Sequence, residues 1–276
     1  MEISVVIPFY NAYEFFDSAY QSIKEQSYAV KEIIVVNDGN GKKADEFLAQ
    51  YEDIIVITLN SNQGSAVARN YGIEAANYPW VAFLDADDVW LADKVAMQVE
   101  FLEKNPHFDS CHTGVQIFDH SGVIKEFVDK PFELKYTDLM LDTHILPTSW
   151  LISKKALLGV SMFDPDFRAK QDHELSLRLA LAGVRIGFIS QPLIKLRRMQ
   201  HGNTSSSGRK LFKASLQLLR KHWALYKQHP ELRRIFIYTA LMTSGGKCPG
   251  FEGKLMFFSA SILRKLLWSQ TLKHIS

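Results

Sequence analysis

The chain has 276 residues, of which 47% are hydrophobic and 22% charged, and this composition is that of an ordinary globular protein with one or two domains. Its two cysteines, Cys111 and Cys248, lie far apart and in no metal-ligand spacing, which excludes a disulfide framework and a cysteine zinc site and favours a reducing cytosol. No basic segment precedes the first apolar run as in a signal peptide, and no apolar run reaches the roughly 18 residues that span a membrane.

Charge is unevenly distributed along the sequence. From Arg209 onward thirteen Lys and Arg residues stand against two Glu residues, so this last quarter carries +11 and residues 1–208 carry −9 of the net +2. Such a division predicts an acidic body that uses a metal ion and a basic extension that meets an anionic partner.

The first hundred residues predict alternating strands and helices. Apolar runs typical of buried parallel strands occupy residues 4–7, 33–36, 54–59 and 80–84, and helical spacing of apolar residues covers 13–26 and 62–77. Pro8 is expected to stop the first strand because proline cannot donate to a sheet ladder. The crossovers should be right-handed, and the strand ends at Pro8, Asp38, Asn60 and Asp85 should then lie along one edge of the sheet.

Three carboxylates end the most apolar of these runs. Asp85, Asp87 and Asp88 follow residues 81–84 directly, at the place where open α/β sheets bind ligands. Carboxylates this close repel one another, and a hard divalent cation that bridges to phosphate oxygens would compensate them. The alternative is a solvated turn that caps a helix starting near Trp90.

A second candidate segment covers residues 62–70. Gly64 permits close approach of the backbone, and Arg69 lies one to two turns into the following helix, where its guanidinium would reach either a phosphate or one of the acids at the sheet edge.

The pattern changes beyond residue 105. Residues 110–118 and 123–127 predict a β-hairpin, 163–167 a loop, 184–189 and 193–198 two strands, and 199–208 a polar loop. Gln171 and Asp172 open a helix, and the helix dipole favours Asp172 and Glu174 at this N-terminus whatever else they do.

Taken together and in order, these motifs resemble those of the family 2 glycosyltransferases of GT-A fold, bacterial enzymes that use nucleotide-sugar donors. The matching segments span about residues 4–205 and are Ser4 to Asn11, Val36 to Gly39, Asn62 to Asn70, Phe83 to Asp88 with Trp90, Phe163-Asp164, Gln171-Asp172 with Leu175 and Arg178, and Arg198 to Asn203. The resemblance implies an α/β fold with a Rossmann-like, mostly parallel central sheet flanked by helices. It further implies a catalytic domain over 1–208, with a nucleotide-sugar half (1–105) and an acceptor half (106–208), followed by a helical extension over 209–276.

The resemblance also implies roles for individual residues. It assigns the donor nucleotide to Pro8, Tyr10, Asp38, Arg69 and Asp85, a Mn²⁺ or Mg²⁺ ion to Asp87 and His201, and the catalytic base to Asp172. Two positions depart from the family pattern: Gln171 replaces the usual Glu before the base, and Asn37 replaces the usual Asp before Asp38.

The implied reaction is transfer of a sugar from a nucleotide-diphosphate donor, a UDP-sugar by family default, to a hydroxyl of a growing cell-surface glycan such as lipopolysaccharide or capsule. With the metal ion assisting the leaving group and one base on Asp172, a direct displacement would invert the anomeric centre. Two other functions stay open: a phosphohydrolase of haloacid-dehalogenase type with Asp85 as nucleophile, and a non-catalytic nucleotide-sugar binding module. A nucleotidyltransferase is disfavoured because no early glycine-rich phosphate loop occurs.

The basic extension predicts three helices, over residues 210–228, 231–242 and 254–267. In the last, Leu255, Phe258, Ile262 and Leu266 form an apolar stripe beside Lys and Arg residues. One hypothesis places this helix on an anionic inner leaflet, where a lipid-linked saccharide acceptor would be found, which makes the protein cytoplasmic and peripheral to the membrane. The alternatives are packing on the catalytic body or on a second copy in a homodimer. No motif for nucleic-acid binding occurs.

Overall fold

The computed structural model describes residues 1–119, 122–197, 207–248 and 250–271, and the side chains of the last helix up to Arg264. Its strands are β1 (Ile3–Phe9), β2 (Glu32–Asn37), β3 (Ile54–Thr58), β4 (Trp80–Phe83), β5 (Val89–Trp90), β6 (Ser110–Asp119), β7 (Gly122–Phe127), β8 (Glu133–Leu134), β9 (Trp150–Ser153) and β10 (Ile186–Arg197). Its helices are α1 (Phe16–Lys24), α2 (Lys42–Leu48), α3 (Ser65–Ala75), α4 (Lys94–Lys104), α5 (Tyr136–Leu139), α6 (Lys154–Gly159), α7 (Gln171–Leu181), α8 (Gly208–Lys221), α9 (Trp223–Gln228), α10 (Pro230–Gly245) and α11 (Gly250–Thr271), with a 3₁₀ turn at Pro147–Ser149.

The ten strands in these described ranges form one mixed sheet. Its order is β3-β2-β1-β4-β9-β6-β10-β5, with β7 paired to β6 and β8 paired to β10. Strands β3, β2, β1 and β4 are mutually parallel, whereas β9 runs antiparallel to both β4 and β6. The predicted α/β fold with a central sheet and flanking helices is therefore confirmed, and the carboxyl ends of the four parallel strands share one edge. The sheet is mixed and not mostly parallel as predicted, because β5, β7, β8 and β9 all pair antiparallel with their neighbours.

The two faces of strand β1 pack into two different hydrophobic cores. Val5 and Ile7 belong to the core that includes helix α1, and Val6 belongs to the core that includes helix α3. Alternation along a strand sends neighbouring side chains to opposite faces, so a continuous apolar run is what a strand covered on both faces requires. Gly72 of α3 packs so closely on Val6 that a Cβ atom at residue 72 would lie 2.3 Å from Val6 Cγ1.

Pro8 does not stop the first strand as predicted, because β1 continues to Phe9 and Pro8 pairs with Val36 of β2. The carbonyl of Val6 accepts a hydrogen bond from Leu84 N on the β4 side. Two residues further, the backbone nitrogen of Pro8 faces the same side, where the pairing with β4 has already ended. A missing N–H is harmless there, since no ladder bond is lost.

The elements after residue 84 differ in two places from those predicted. No helix starts at Trp90, because Val89–Trp90 pairs with β10 and α4 begins at Lys94. The two strands expected over 184–189 and 193–198 are one strand, β10, with register irregularities between Ile189 and Ile194. The predicted hairpin is confirmed as β6 and β7.

The extension after residue 208 is helical, as predicted. The first predicted helix is interrupted at His222, which separates α8 from α9. Leu218 of α8 and Tyr226 of α9 are fully buried in the core that contains α7. Helix α11 packs on α10, with Gly253 and Ala260 buried. Within the described ranges, no helix is long and apolar enough to cross a membrane.

Candidate active site

Three loops that follow parallel strands meet at the carboxyl edge of the sheet. Tyr10 follows β1 and its side chain is 52% exposed, so it is available to a ligand. Asp38 follows β2, and the acidic segment 85–88 follows β4. This is the arrangement that the sequence predicts, since parallel strands end on the same edge.

Asp38 is buried, and its carboxylate organises the backbone that leads into α3. Its oxygens accept hydrogen bonds from Gln63 N at 2.7 Å, from Gly64 N at 2.8 Å and from Asn62 Nδ2 at 3.1 Å. Gly39 next to it has φ +80, and a Cβ atom there would lie 2.2 Å from Asn62 N. Only glycine fits both this conformation and this close approach, so the two loops are fixed to each other by backbone contacts.

Arg69 is buried on α3, and one of its terminal nitrogens is paired with the carboxylate of Asp85. The interpretation of Arg69 as a partner of an acid at the sheet edge is thus confirmed. Its Nε and Nη1 atoms are buried without a hydrogen-bond partner among the described residues, and Phe163 packs against the guanidinium at 5.5 Å. Unpaired donors on a buried guanidinium are costly, and a phosphate or carboxylate group of a ligand would satisfy them.

The acids after β4 occupy three different environments. The Asp85 side chain is one third exposed and bound to Arg69. The Asp88 carboxylate is buried and accepts hydrogen bonds from Thr148 Oγ1 at 2.7 Å and from Arg197 N at 3.3 Å. Burial and the charges of Asp85 and Asp87 raise the pKa of Asp88 well above its usual value. The buried Asp88 carboxylate therefore stabilises the conformation of the loop 85–88.

Asp87 lies between these two acids in the sequence, and its carboxylate has no hydrogen-bonded cation such as Asp85 has in Arg69 within the described residues. Burial, followed by the charge of Asp85, raises the pKa of Asp87, while Arg197 and Arg69 act in the opposite direction. The Arg197 guanidinium lies 4.8 Å from the rings of Phe15 and Phe118 and donates from Nε to the Asp87 carbonyl at 3.3 Å. A divalent cation beside Asp87 would compensate the electrostatic repulsion between the Asp85 and Asp87 carboxylates.

Thr148 stabilises the acidic loop 85–88 by hydrogen bonds to both of its ends. Besides donating to Asp88, its hydroxyl accepts a hydrogen bond from Asp85 N at 3.2 Å. Its carbonyl accepts one from Trp90 Nε1 at 2.9 Å, and the Lys94 ammonium lies 3.8 Å from the Trp90 ring. Burial lowers the pKa of Lys94 to about 7. A buried lysine, an indole and a hydroxyl thus hold the loop in one shape.

Asp172 lies in the first turn of α7. Its Oδ2 atom is 3.4 Å from Thr143 Oγ1, which donates to it. Burial raises the pKa of Asp172, and the charges of Lys170 and Arg69 work against that rise. Lys170 precedes α7 with φ +57, a conformation that non-glycine residues seldom adopt. A carboxylate with a raised pKa accepts a proton more readily than an ordinary one.

Gln171 connects α7 to the start of α3. Its Nε2 atom donates to Ser65 Oγ at 2.7 Å, and its Oε1 atom is buried without a partner in the described part of the chain. Gln171 thus contacts α3 without the negative charge that the usual glutamate would bring to this position. Arg168 lies over the same helix start, since a Cβ atom at Gly64 would be 2.4 Å from Arg168 Nη1.

Helix α3 is therefore the element on which the predicted residues converge. The loop before it is held by Asp38, its first residue binds Gln171, and its Arg69 binds Asp85. The charge of Arg69 acts on the pKa values of both Asp87 and Asp172. Pro8 lies within β1, and its side chain is only partly buried. His201 lies outside the described residues.

The donor set fits a hard divalent cation only if a ligand completes it. In the described ranges, no three His, Cys, Asp or Glu side chains are grouped to hold a metal ion. Asp85 and Asp87 nevertheless supply adjacent carboxylate oxygens, which Mg²⁺ and Mn²⁺ prefer, and Mg²⁺ is commonly held by one or two carboxylates together with substrate phosphates.

Comparison with known proteins identifies the family. Residues 4–158 match the model of glycosyl transferase family 2. TuaG of Bacillus subtilis (strain 168), named as a glycosyltransferase of teichuronic acid biosynthesis, is 32% identical over 83% of this chain and 89% of its own. The UDP-Glc:alpha-D-GlcNAc-diphosphoundecaprenol beta-1,3-glucosyltransferase WfgD of Escherichia coli is 25% identical over 91% of this chain and 96% of its own.

A solved structure shows the same fold. The crystal structure of S. aureus TarS 1-349 in complex with UDP-GlcNAc superposes with a TM-score of 0.67, at 15% identity, over 99% of this chain and 92% of that one. The fold is that of the GT-A glycosyltransferases. Because the family model covers more than half of the 276 residues, the protein belongs to glycosyl transferase family 2 and is a glycosyltransferase.

The sequence did not point to several residues that shape this site. Thr148, Arg168 and Arg197 contact the predicted residues from segments with no distinctive motif. Of these three residues, only Arg197 could have been suspected from the sequence, because it directly precedes the segment 198–203 that resembles the family. The phosphohydrolase alternative gains no support, because Asp85 is paired with Arg69 and family membership accounts for the remaining motifs.

Proposed function

We propose that this glycosyltransferase moves a sugar from a UDP-sugar to a hydroxyl of a lipid-linked, growing cell-surface glycan, with inversion at the anomeric carbon. The observation that carries the proposal is the position of Arg69, which is paired with Asp85 and acts electrostatically on both Asp87 and Asp172. Asp85 is thus paired with a buried guanidinium whose charge also acts on Asp87 and Asp172 and which keeps two donors unpaired among the described residues.

In this proposal the donor nucleotide binds along the sheet edge. Tyr10 is exposed and contributes a ring face to the base, Pro8 and Asp38 border the nucleoside, and Arg69 and Asp85 lie at the diphosphate side. WfgD is named for a UDP-Glc donor, and TarS has been solved with UDP-GlcNAc, which favours uracil as the base.

We assign a Mn²⁺ or Mg²⁺ ion to Asp87, with His201 as a further ligand from outside the described residues. Such an ion neutralises charge on a diphosphate leaving group. The chain's own part is to hold Asp87 against Asp85 by the Thr148 and Arg197 contacts, so that the carboxylate is in place before the donor arrives.

Asp172 is the proposed general base. The acceptor hydroxyl gives its proton to an Asp172 carboxylate oxygen while the hydroxyl oxygen forms a bond to C1 of the sugar. The bond from C1 to the diphosphate oxygen breaks in the same displacement, and the nucleoside diphosphate leaves. One displacement from the face opposite the leaving group inverts the configuration, as in other single-displacement sugar transfers.

The acceptor is proposed to be presented by an anionic membrane surface, on the cytoplasmic side. WfgD is named for a diphosphoundecaprenol-linked acceptor. On α11 the side chains of Phe251, Leu255, Phe258 and Ile262 are between 46% and 78% exposed and follow helical spacing. Apolar residues on one exposed helix face next to basic residues are typical of a helix that lies in a membrane interface.

A flotation assay tests this surface. The protein is expected to float with vesicles rich in anionic phosphatidylglycerol, and Leu255→Ser with Phe258→Ser should keep it at the bottom of the gradient. Leu158→Ser, which removes an exposed leucine from the body, is the matched control and should float normally. Equal flotation of the stripe variant and the control would contradict membrane docking. A concentration-dependent dimer lost in the stripe variant would assign the stripe to a second copy.

A donor screen tests the function itself. Release of UDP, GDP or dTDP from the corresponding sugar nucleotides is measured with Mn²⁺ present and after addition of EDTA. Release of UDP that depends on both the metal and an acceptor extract is the expected result. Binding of donors without turnover under any acceptor would favour a non-catalytic binding module instead.

A further inference from the structure

A buried cluster of charged groups lies immediately behind the proposed base. Glu174 of α7 is fully buried, yet its carboxylate faces three basic side chains. Arg178 donates to it from Nε and Nη2 at 2.7 Å, Lys221 Nζ lies 2.7 Å from Oε1, and His222 Nε2 lies 3.3 Å from the same oxygen. Lys221 and His222 come from the helical extension, so the cluster joins the extension to the helix that carries Asp172.

The chemistry of the cluster shows that Glu174 is charged and that its partners are needed. Burial raises the pKa of Glu174, but hydrogen bonds from His222, Arg178 and Lys221 outweigh burial and bring it to about 2. A buried carboxylate is costly unless it is well paired, so removing one of the three partners leaves the Glu174 charge less well compensated. The position of α7 is therefore set by these ionic contacts as well as by apolar packing.

Two residues of the cluster, Lys221 and Arg178, also contact the loop 160–164, which lies between α3 and α7. Lys221 Nζ is 2.5 Å from Asp164 Oδ2, and Arg178 Nη2 donates to the Met162 carbonyl at 2.6 Å. From the other side, Asn70 of α3 exchanges two hydrogen bonds with the backbone of Phe163, at 2.8 and 3.0 Å. Loop 160–164 is thus clamped between the helix of Arg69 and the helix of Asp172.

Asp172 and Glu174 are two residues apart on one helix, so their side chains leave it on nearly opposite faces. Asp172 faces the Thr143 hydroxyl, whereas Glu174 faces the extension. A shift of α7 caused by loss of the cluster would move Asp172 relative to loop 160–164. Displacements of about 1 Å at a reacting group cost as much as about 100-fold in rate.

We propose that Lys221, the last residue of α8, is a positioning residue for Asp172, and that the helical extension is required for transfer itself. This inference rests on the proposed function, because it takes Asp172 as the base. It gives the extension a role that membrane docking does not explain, since α8 and α11 are different helices with different contacts.

The substitution Lys221→Met tests the inference. It removes the ammonium group and replaces the four-carbon stem by an apolar chain of the same length, and because the Lys221 side chain is only partly buried, folding should be preserved. We expect kcat for transfer to fall at least about tenfold, while the donor KM and the Kd for UDP stay within about twofold of wild type. Lys221→Arg should restore most of kcat, because a guanidinium can pair with both Asp164 and Glu174. Lys227→Met, at an exposed lysine of α9, is the matched control and should behave as wild type.

Hydrogen exchange gives a second measurement that does not depend on turnover. In Lys221→Met, exchange of the amides of residues 171–181 should accelerate by about tenfold more than exchange of the amides of residues 80–83, which reports any change in global stability. Unchanged exchange in α7, or an unchanged kcat, would overturn the inference. So would an equal loss in donor affinity and in kcat, because that result means general damage to the site.

The two proposals fail in different ways. If Asp172→Asn abolishes transfer and Lys221→Met does not slow it, the base assignment stands and the positioning role is wrong. If Asp172→Asn transfers at the wild-type rate, the base assignment is wrong whatever Lys221→Met does.

Discussion

Different kinds of contact stabilise two regions of the site: the carboxyl edge of the parallel strands, where the donor is proposed to bind (the donor edge), and the region around α7. At the donor edge, backbone groups dominate: Asp38 binds two amides of the loop before α3, and Gly39 allows that loop to touch the end of β2. Around α7, charged side chains from distant parts of the chain meet at Glu174. Backbone-built sites depend on local conformation, whereas the α7 region depends on charge, so different substitutions should damage each.

The largest effect is expected for Asp172→Asn. The amide cannot accept the acceptor proton as the carboxylate does, and loss of a general base costs about 10²- to 10⁴-fold. Transfer measured by UDP release with acceptor should fall by this factor, while UDP affinity measured by calorimetry should be unchanged. Asp166→Asn, an exposed aspartate in the loop before α7, is the control and should transfer normally. A residual rate close to wild type would remove Asp172 from the base role.

Next in size is the effect of Asp87→Ala on the donor edge. Calorimetry of UDP binding with and without Mn²⁺ should show metal-stimulated binding in the wild type and little stimulation in the variant, with affinity in Mn²⁺ reduced by about tenfold or more. Wild type in EDTA should resemble the variant. Equal metal stimulation in both proteins would show that Asp87 is not a ligand.

Glu174→Gln probes the charged cluster through acid stability. The pKa of Glu174 is lowered from 4.5 to about 2, which at about 1.4 kcal/mol per unit corresponds to about 3 kcal/mol of stability. Because the folded pKa is the lower one, this contribution is complete above the unfolded pKa of 4.5 and is lost as the pH falls toward 2.

Denaturant unfolding between pH 7 and pH 2 measures this contribution. The variant should be less stable than wild type by up to about 3 kcal/mol at pH 7, and the difference should shrink as the pH falls from 4.5 toward 2. Glu103→Gln, at an exposed glutamate of α4, should show no such difference. A difference that stays constant down to pH 2 would mean that the Glu174 charge is not what stabilises α7.

The smallest effect in this series is expected for Gly39→Ala. The new Cβ atom would meet Asn62 N at 2.2 Å at a φ of +80, so the loop must shift, and such strain costs about 1–3 kcal/mol. Thermal unfolding should detect the loss of stability, and UDP affinity should fall with it. Gly41→Ala, also at positive φ but with open space around it, should affect UDP binding much less. If both variants bind UDP as wild type does, close approach at Gly39 is not needed by the donor edge.

The difference between the two regions also explains how far the sequence could predict them. Parallel strands buried on both faces leave continuous apolar runs, so β1 to β4 and the residues at their ends, such as Asp38 and Asp85, could be placed from the sequence. Pro8 was placed one residue too early as a strand end, because only the register shows that its missing N–H faces beyond β4.

Contacts between distant side chains leave no such pattern. Glu174 and His222 are 48 residues apart, and nothing in the spacing of Lys221 or His222 indicates a partner on α7. Thr148 likewise lies in a segment without a motif, although it binds both Asp85 and Asp88. The sequence indicated that Asp172 and Glu174 open a helix, but the direction that each side chain takes depends on what packs against that helix.

Strand β4 lies between β1 and β9, and its residues Val81 to Phe83 have no exposed surface. Strand β7 pairs only with β6 among the described strands and all six of its residues are exposed, so it can detach without disturbing β4. Amides of β4 should therefore exchange with solvent only through global unfolding, whereas those of β7 exchange through local opening. On heating, the acids at the end of β4 should keep their arrangement until the whole sheet melts.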